Sequence, residues 1–168
     1  LLGDLLTNPK ALLEHGLEDT SGGVPVHSLY IFSSNPAITA PNQNLVRQGL
    51  MRDDLFTVVH ERFFTDTCAY ADIILPATSS AESDDIFNSY GHYTIAASYQ
   101  AIPPVGESKS NWQVISELAQ RMGLDDPFFA MTERELIEHM VRNSSKLSQD
   151  EQDAILRGDL VEVALPDN

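Results

Sequence analysis

Apolar and polar positions change period several times along this chain, and each change marks an element. Residues 29–32 (LYIF) form a continuous apolar run that reads as a buried strand, ending abruptly in the polar loop Ser33-Ser34-Asn35-Pro36. The Asn-Pro step keeps the backbone extended after that strand. Between 44 and 51, Leu45, Val46, Leu50 and Met51 share one stripe at helical spacing, a crossover helix leading to a second apolar run at 55–59 (LFTVV) that ends in His60-Glu61-Arg62. Thr65 or Asp66 then caps a short helix, and 72–75 makes a third strand stopped by Pro76. Strand, helix, strand, helix, strand is the order of βαβ units, whose right-handed crossovers give a parallel sheet covered on both faces.

On either side of this wound middle the pattern is different. Leu5, Leu6, Leu12, Leu13 and Leu17 suit an amphipathic piece broken near Pro9, and the loop Ser21-Gly22-Gly23-Val24-Pro25 leads into the first strand. Its glycines are too few for a phosphate cradle. From 86 to 102 a looser alternation around Tyr90-Gly91-His92 predicts a hairpin over the end of the sheet. Ser110 caps a helix over 111–122 stopped by Gly123, with Trp112, Ile115, Leu118, Ala119 and Met122 on one core-facing stripe. Helices over 133–141, after Thr132, and 148–156 follow, and 161–165 reads as a strand whose partners lie in missing sequence. The fold class is therefore α/β: a Rossmann-like, doubly wound, mainly parallel sheet with a small β-hairpin and a helical C-terminal end. Three parts are expected: a partial lead-in at 1–24, an α/β domain at 25–123, and an acidic helical extension at 124–168.

Composition narrows the function. The chain has 168 residues, 42% of them apolar, enough to bury one core. Ten Lys and Arg against 25 Asp and Glu give a formal charge of −15, which disfavours nucleic acid and anionic membranes as partners. No apolar stretch has the length a bilayer requires. A cytoplasmic location is expected, with a periplasmic one left open.

In open parallel sheets, ligands sit at the carboxyl ends of the strands. Asn35 and His60-Glu61 stand there, so a site is expected at those two ends. Plainer roles stand beside it: Asn35 capping its own turn, Glu61 pairing with Arg62, Asn111 serving as a first-turn helix residue.

The segments SSNPAITAPNQNLVRQGL, LFTVVHERFFTDTCAYADIILPATSSAESDDIFNSYGH and AIPPVGESKSNWQVISELAQRMG, in this order, resemble molybdopterin oxidoreductases of the dimethyl-sulfoxide-reductase type, a group that includes formate dehydrogenases and nitrate reductases. The resemblance covers residues 25 to 123. It implies that this part binds the nucleotide half of a molybdopterin guanine dinucleotide, with molybdenum or tungsten in the parent enzyme. Carried over by position, the cofactor-binding residues are Ser34, Asn35, His60, Glu61, Ser83 and Asn111. Relatives commonly have Asp at the position of Glu61, can have Lys at that of Ser83 and often have Asp at that of Asn111, so the preference for guanine or the affinity is expected to differ here.

The resemblance also implies an iron-sulfur cluster and a metal ligand elsewhere in the parent. Cys68, the only cysteine, cannot hold a four-thiolate cluster and reads as a small buried apolar residue. The chain is thus expected to be a piece that contributes binding without turnover. Its partners would be the remaining domains of the parent polypeptide and an electron-transfer subunit, with a dimer of the isolated chain through exposed faces also open. An alternative is a cofactor-less scaffold in an electron-transfer complex. A third reading, a small hydrolase built on Glu82, Asp84, Asp85 and His92, requires those groups to converge. As a magnesium or acid-base cluster, the three acids lack a second group of partners.

Overall fold

The computed structural model describes residues 2–14, 16, 23–88 and 90–162. The positions Leu17, Ser21 and Gly22 of the lead-in, and 163–165 of the expected last strand, lie outside them. The chain forms two compact units, 1–77 and 78–168.

In the first unit, helices α1 (Leu2–Thr7) and α2 (Ala11–Glu14) precede strand β1 (Ser28–Phe32). A single helical turn, α3 (Pro36–Thr39), and the crossover helix α4 (Gln43–Leu50) lead to β2 (Phe56–Glu61). A 3-10 turn over Asp66–Tyr70 then connects to β3 (Ile73–Pro76). The sheet is parallel in the order β1-β2-β3, with Ile31 opposite Val59 and Phe32 opposite His60.

Alternation along the strands sends Ile31 and Val59 into a core with Leu6, Ala37, Val46, Leu50, Leu55 and Cys68. Cys68 is buried there as a small apolar residue. Val46 and Leu50 carry the expected stripe inward, whereas Met51 falls at the C-cap and is exposed. α1 and α4 touch closely: a Cβ built on Gly49 would lie 2.4 Å from the Cβ of Leu6. The connection between β2 and β3 is a 3-10 turn where a helix was expected, because the segment is too short to build several α-turns and still return to the start of β3. Asp72 stands just outside β3 and closes the ladder with its side chain: Thr57 N donates to Asp72 Oδ2 at 2.7 Å, and Asp72 N donates to Thr57 O at 2.8 Å.

In the second unit, β4 (Asp85–Asn88) and β5 (Thr94–Ser98) form the hairpin, followed by α5 (Asn111–Arg121), a 3-10 turn over Pro127–Ala130, α6 (Glu133–Arg142), α7 (Gln149–Arg157) and β6 (Val161–Glu162). The expected hairpin is present, and the expectation about the last strand's partners is corrected. The hairpin belongs to a separate antiparallel sheet in the order β4-β5-β6. The last strand has its partner within the chain, with Val161 opposite Ile95, so no missing segment is needed to pair it.

Ala97, Ile137, Val141 and Ile155 form this unit's core. Ser110, Thr132 and Ser148 each start a helix with a reciprocal capping box, closed by Gln113, Glu135 and Glu151. The α5 stripe is only partly buried. Ser116 and Ala119 are enclosed, but Leu118 and Met122 are 48% and 70% exposed, because the buried face of the helix runs through Ser116 and Ala119 and leaves those two beside it.

The α/β class, the parallel sheet, the hairpin and the helical end are thus all present.

Candidate functional site

In the first unit, β1 and β2 run side by side and end together. β1 leaves the sheet through Ser33, whose backbone is left-handed with φ of 49°. Ser34 follows, exposed. Asn35 caps α3 through its backbone carbonyl, which accepts from Ile38 N and Thr39 N, while its side chain reaches across to the turn after β2. There Asn35 Oδ1 accepts from Thr67 Oγ1 at 2.6 Å and from Thr67 N at 3.2 Å, and Nδ2 donates to Asp66 Oδ2 at 3.4 Å. Thr67, 0% exposed, also accepts from Ala37 N at 3.2 Å. The polar contacts of Asn35 therefore join the two strand-end loops.

His60 lies fully enclosed in the middle strand, opposite Phe32 on one side and Leu75 on the other. Its ring is tilted against that of Tyr30, with centroids 6.2 Å apart. Among the described residues the buried Tyr30 hydroxyl has no hydrogen-bond partner, and burial raises its pKa. Glu61 stands at the strand end. Its Oε1 accepts from Arg62 N at 2.8 Å, and Arg62 Nε is 4.0 Å from the same oxygen, while Oε2 has no hydrogen bond among the described residues. The pairing with Arg62 considered from the sequence is thus present, and it uses one oxygen only.

The second unit holds the other two predicted residues. Ser83, half-buried, donates from Oγ to Ser79 O at 3.4 Å. Asn111 is the first residue of α5, directly after the Ser110 cap, with its Oδ1 out of solvent contact. Their loops are stitched together. Thr78 N donates to Lys109 O, and Glu82, 8% exposed, accepts from Ser79 N and Val105 N, both at 2.7 Å. Ser79, first through its side chain and then through its amide, and the Val105 amide hold the Glu82 carboxyl below the usual carboxylate range.

The acids that prompted a hydrolase or metal reading have separate partners. Asp84 accepts from Gln100 N and from Arg134, whose guanidinium also lies 4.4 Å over the Tyr99 ring. Burial opposes ionisation of Asp84, but the hydrogen bonds from Arg134 and Gln100 and the Arg134 charge outweigh it, and the pKa is lowered. Asp85 accepts from its neighbour Ile86 N, and His92 pairs with Thr94. Among the described residues no three His, Cys, Asp or Glu side chains gather as a metal cluster.

Thr67 ties together the strand-end loops of the first unit, and Glu82 two loops of the second. Sequence reasoning passed over Thr67 because its partner Asn35 lies 32 residues away, and no local pattern encodes that pairing.

Known proteins resemble this chain over most of its length. A family model described as molybdopterin oxidoreductase matches residues 11–121. The protein named "Probable oxidoreductase YoaE" of Bacillus subtilis (strain 168) is 54% identical over 102 residues, which are 61% of this chain and 15% of that protein. A Staphylococcus aureus (strain USA300) protein named "Putative formate dehydrogenase" is 37% identical over 119 residues, 70% of this chain and 12% of its own length. The chain therefore spans only a small part of the curated relatives it matches. Among solved structures, acetylene hydratase from Pelobacter acetylenicus superposes with a TM-score of 0.70 at 29% identity, covering 95% of this chain and 21% of that one.

Proposed function

The chain belongs to the molybdopterin oxidoreductase family, and from that premise we propose that its first unit holds the nucleotide end of a molybdopterin guanine dinucleotide at the joint C-terminal ends of β1 and β2. The observation that carries this is Glu61: a carboxylate at the end of the middle strand, its side chain 10% exposed, with one oxygen tied to Arg62 N and the other without a hydrogen bond among the described residues. Guanine presents N1–H and the N2 amine on one edge, and a carboxylate oxygen accepts from such donors.

The remaining groups fit the same ligand in chemistry. The exposed Ser34 hydroxyl can donate to a phosphate oxygen, and Arg62, 48% exposed in its side chain, offers a cation next to the carboxylate. The cofactor, when bound, supplies the redox chemistry through its metal. What this chain supplies is binding and orientation, and turnover by the chain alone is not expected. In the longer protein, an oxidoreductase, the remaining polypeptide would carry the metal site and any iron-sulfur cluster, and an electron-transfer subunit would be its partner.

Two observations favour a second reading, a scaffold without cofactor: Asn35 spends its polar contacts within the protein, and His60 is enclosed. Calorimetric titration of the full chain with GDP, and with ADP as control, separates the two. A retained guanine site gives GDP binding stronger than ADP binding, weakened at least tenfold in Glu61→Gln (~1.4 kcal/mol, within the range for a charge-assisted hydrogen bond). Equal binding of the two nucleotides, or none at millimolar concentration, overturns the nucleotide role and leaves the scaffold.

A further inference from the structure

The loops after β1 and β2 are held to each other by one buried hydroxyl. Thr67 Oγ1 donates to Asn35 Oδ1 at 2.6 Å and accepts from Ala37 N at 3.2 Å, while Thr67 N donates to the same Asn35 oxygen at 3.2 Å. Thr67 and Ala37 are both 0% exposed and Asn35 is half-buried, so Thr67 makes these bonds from inside the protein. Buried bonds of this kind fix geometry, since leaving any member unpaired carries the full cost of its lost hydration.

The consequence reaches the strand ends. Asn35 sits one residue after Ser34, and Thr67 lies on the turn that follows Glu61 and Arg62. Ser33, left-handed at φ 49°, sets the direction in which β1 exits, and Asn35 fixes where that exit goes. With Oδ1 bonded twice to Thr67 and Nδ2 directed to Asp66, the side chain of Asn35 is committed to the neighbouring loop.

We infer that Asn35 and Thr67 are a positioning pair for the nucleotide site: they set the spacing between Ser34 and Glu61 and make no direct contact with the ligand. The inference rests on the proposed nucleotide role and changes the part Asn35 plays in it, from a residue that touches the cofactor to one that acts through Thr67. A ligand gripped by two loops is sensitive to their separation, and a misplacement of about 1 Å costs up to ~100-fold where geometry is critical.

The test is a double-mutant cycle on GDP affinity in the full chain, using Asn35→Ala, Thr67→Val and the double variant, with Thr67→Ser as the conservative replacement. Each single variant is expected to weaken GDP binding about tenfold, and the double variant by no more than about threefold beyond either, because the two residues act as one unit. Thr67→Ser, which keeps the hydroxyl, is expected to restore affinity to within about threefold of the parent chain. Circular dichroism and the thermal midpoint are recorded for every variant. Should Thr67→Val fail to fold, Thr67→Ser and Asn35→Ala still decide the matter: a folded Asn35→Ala with parental affinity overturns the inference.

A multiplicative loss of about 100-fold in the double variant also overturns it, since Asn35 would then act on the ligand independently of Thr67. Failure of the underlying nucleotide role looks different: the parent chain itself shows no preference for GDP over ADP, and both readings fall together.

Discussion

Glu82 accepts a hydrogen bond from the backbone amide of Val105, 23 residues further along the chain, at 2.7 Å. Its other oxygen accepts from Ser79 N at the same distance, so one carboxylate clamps two loops of the second unit. Three acids in this stretch invite a catalytic interpretation from sequence, yet the most buried of them is a structural clamp.

Glu82→Gln keeps one acceptor oxygen and replaces the other with a donor facing a backbone amide. The thermal midpoint is expected to fall, and amide exchange at Val105 and Ser79 to accelerate. Unchanged exchange at both amides would count against the clamp.

Acid sensitivity follows from the same group. Hydrogen bonds from Ser79 and Val105 lower the Glu82 pKa, and those from Thr132 and Ser148 do so for the capping-box residues Glu135 and Glu151. A carboxyl whose folded pKa lies below its unfolded value stabilises the fold above the unfolded value, and that contribution is lost as pH falls through the folded one. The unfolding midpoint in urea is therefore expected to hold from pH 7 to about 5 and to drop below about 4.5. The drop should be shallower in Glu82→Gln. A midpoint rising on acidification would show the opposite sign.

Gly49→Ala sets two effects against each other. Alanine improves helix propensity by ~1 kcal/mol, but its Cβ would sit 2.4 Å from the Cβ of Leu6, forcing α1 and α4 apart. Overpacking of this kind costs about 1–3 kcal/mol, so net destabilisation of about 1 kcal/mol is expected. Denaturant titration measures it, and a stabilised variant would mean that the helices separate without penalty.

Ile155→Ala removes a side chain that is 0% exposed from the core formed with Ala97, Ile137 and Val141. Destabilisation of about 2–5 kcal/mol is expected from lost burial and the cavity left behind. Leu118→Ala, in contrast, changes a residue 48% exposed and should cost well under half as much. Comparable losses in the two variants would place Leu118 in a core after all.

Ser110→Ala deletes the capping box of α5, and with it the bond from Gln113 N to Ser110 Oγ at 3.1 Å. The expected loss is about 1 kcal/mol, recovered in part by Ser110→Asp, which keeps an acceptor at the cap. Equal stability of the Ala and Asp variants would remove the cap from the account.

The sequence by itself determined the elements and their order. A continuous apolar run, a helical stripe and a Ser or Thr cap are local features, so β1, β2, α4 and the three capped helices were legible within a residue or two. So was the presence of polar residues at two strand ends, because the apolar runs stop at Ser33 and at His60.

Only the tertiary structure decided what those residues face. It showed that Asn35 binds Thr67, 32 residues away, that His60 is enclosed beside Tyr30 while Glu61 uses one oxygen on Arg62 N, and that Val161 pairs with Ile95. It also left Leu118 and Met122 exposed on a stripe whose spacing predicts burial. Periodicity reports which face of an element is apolar, because it depends on neighbours within a turn or two. It carries no information on which distant segment covers that face or bonds to a given side chain, since such pairings are selected by the packing of the whole chain.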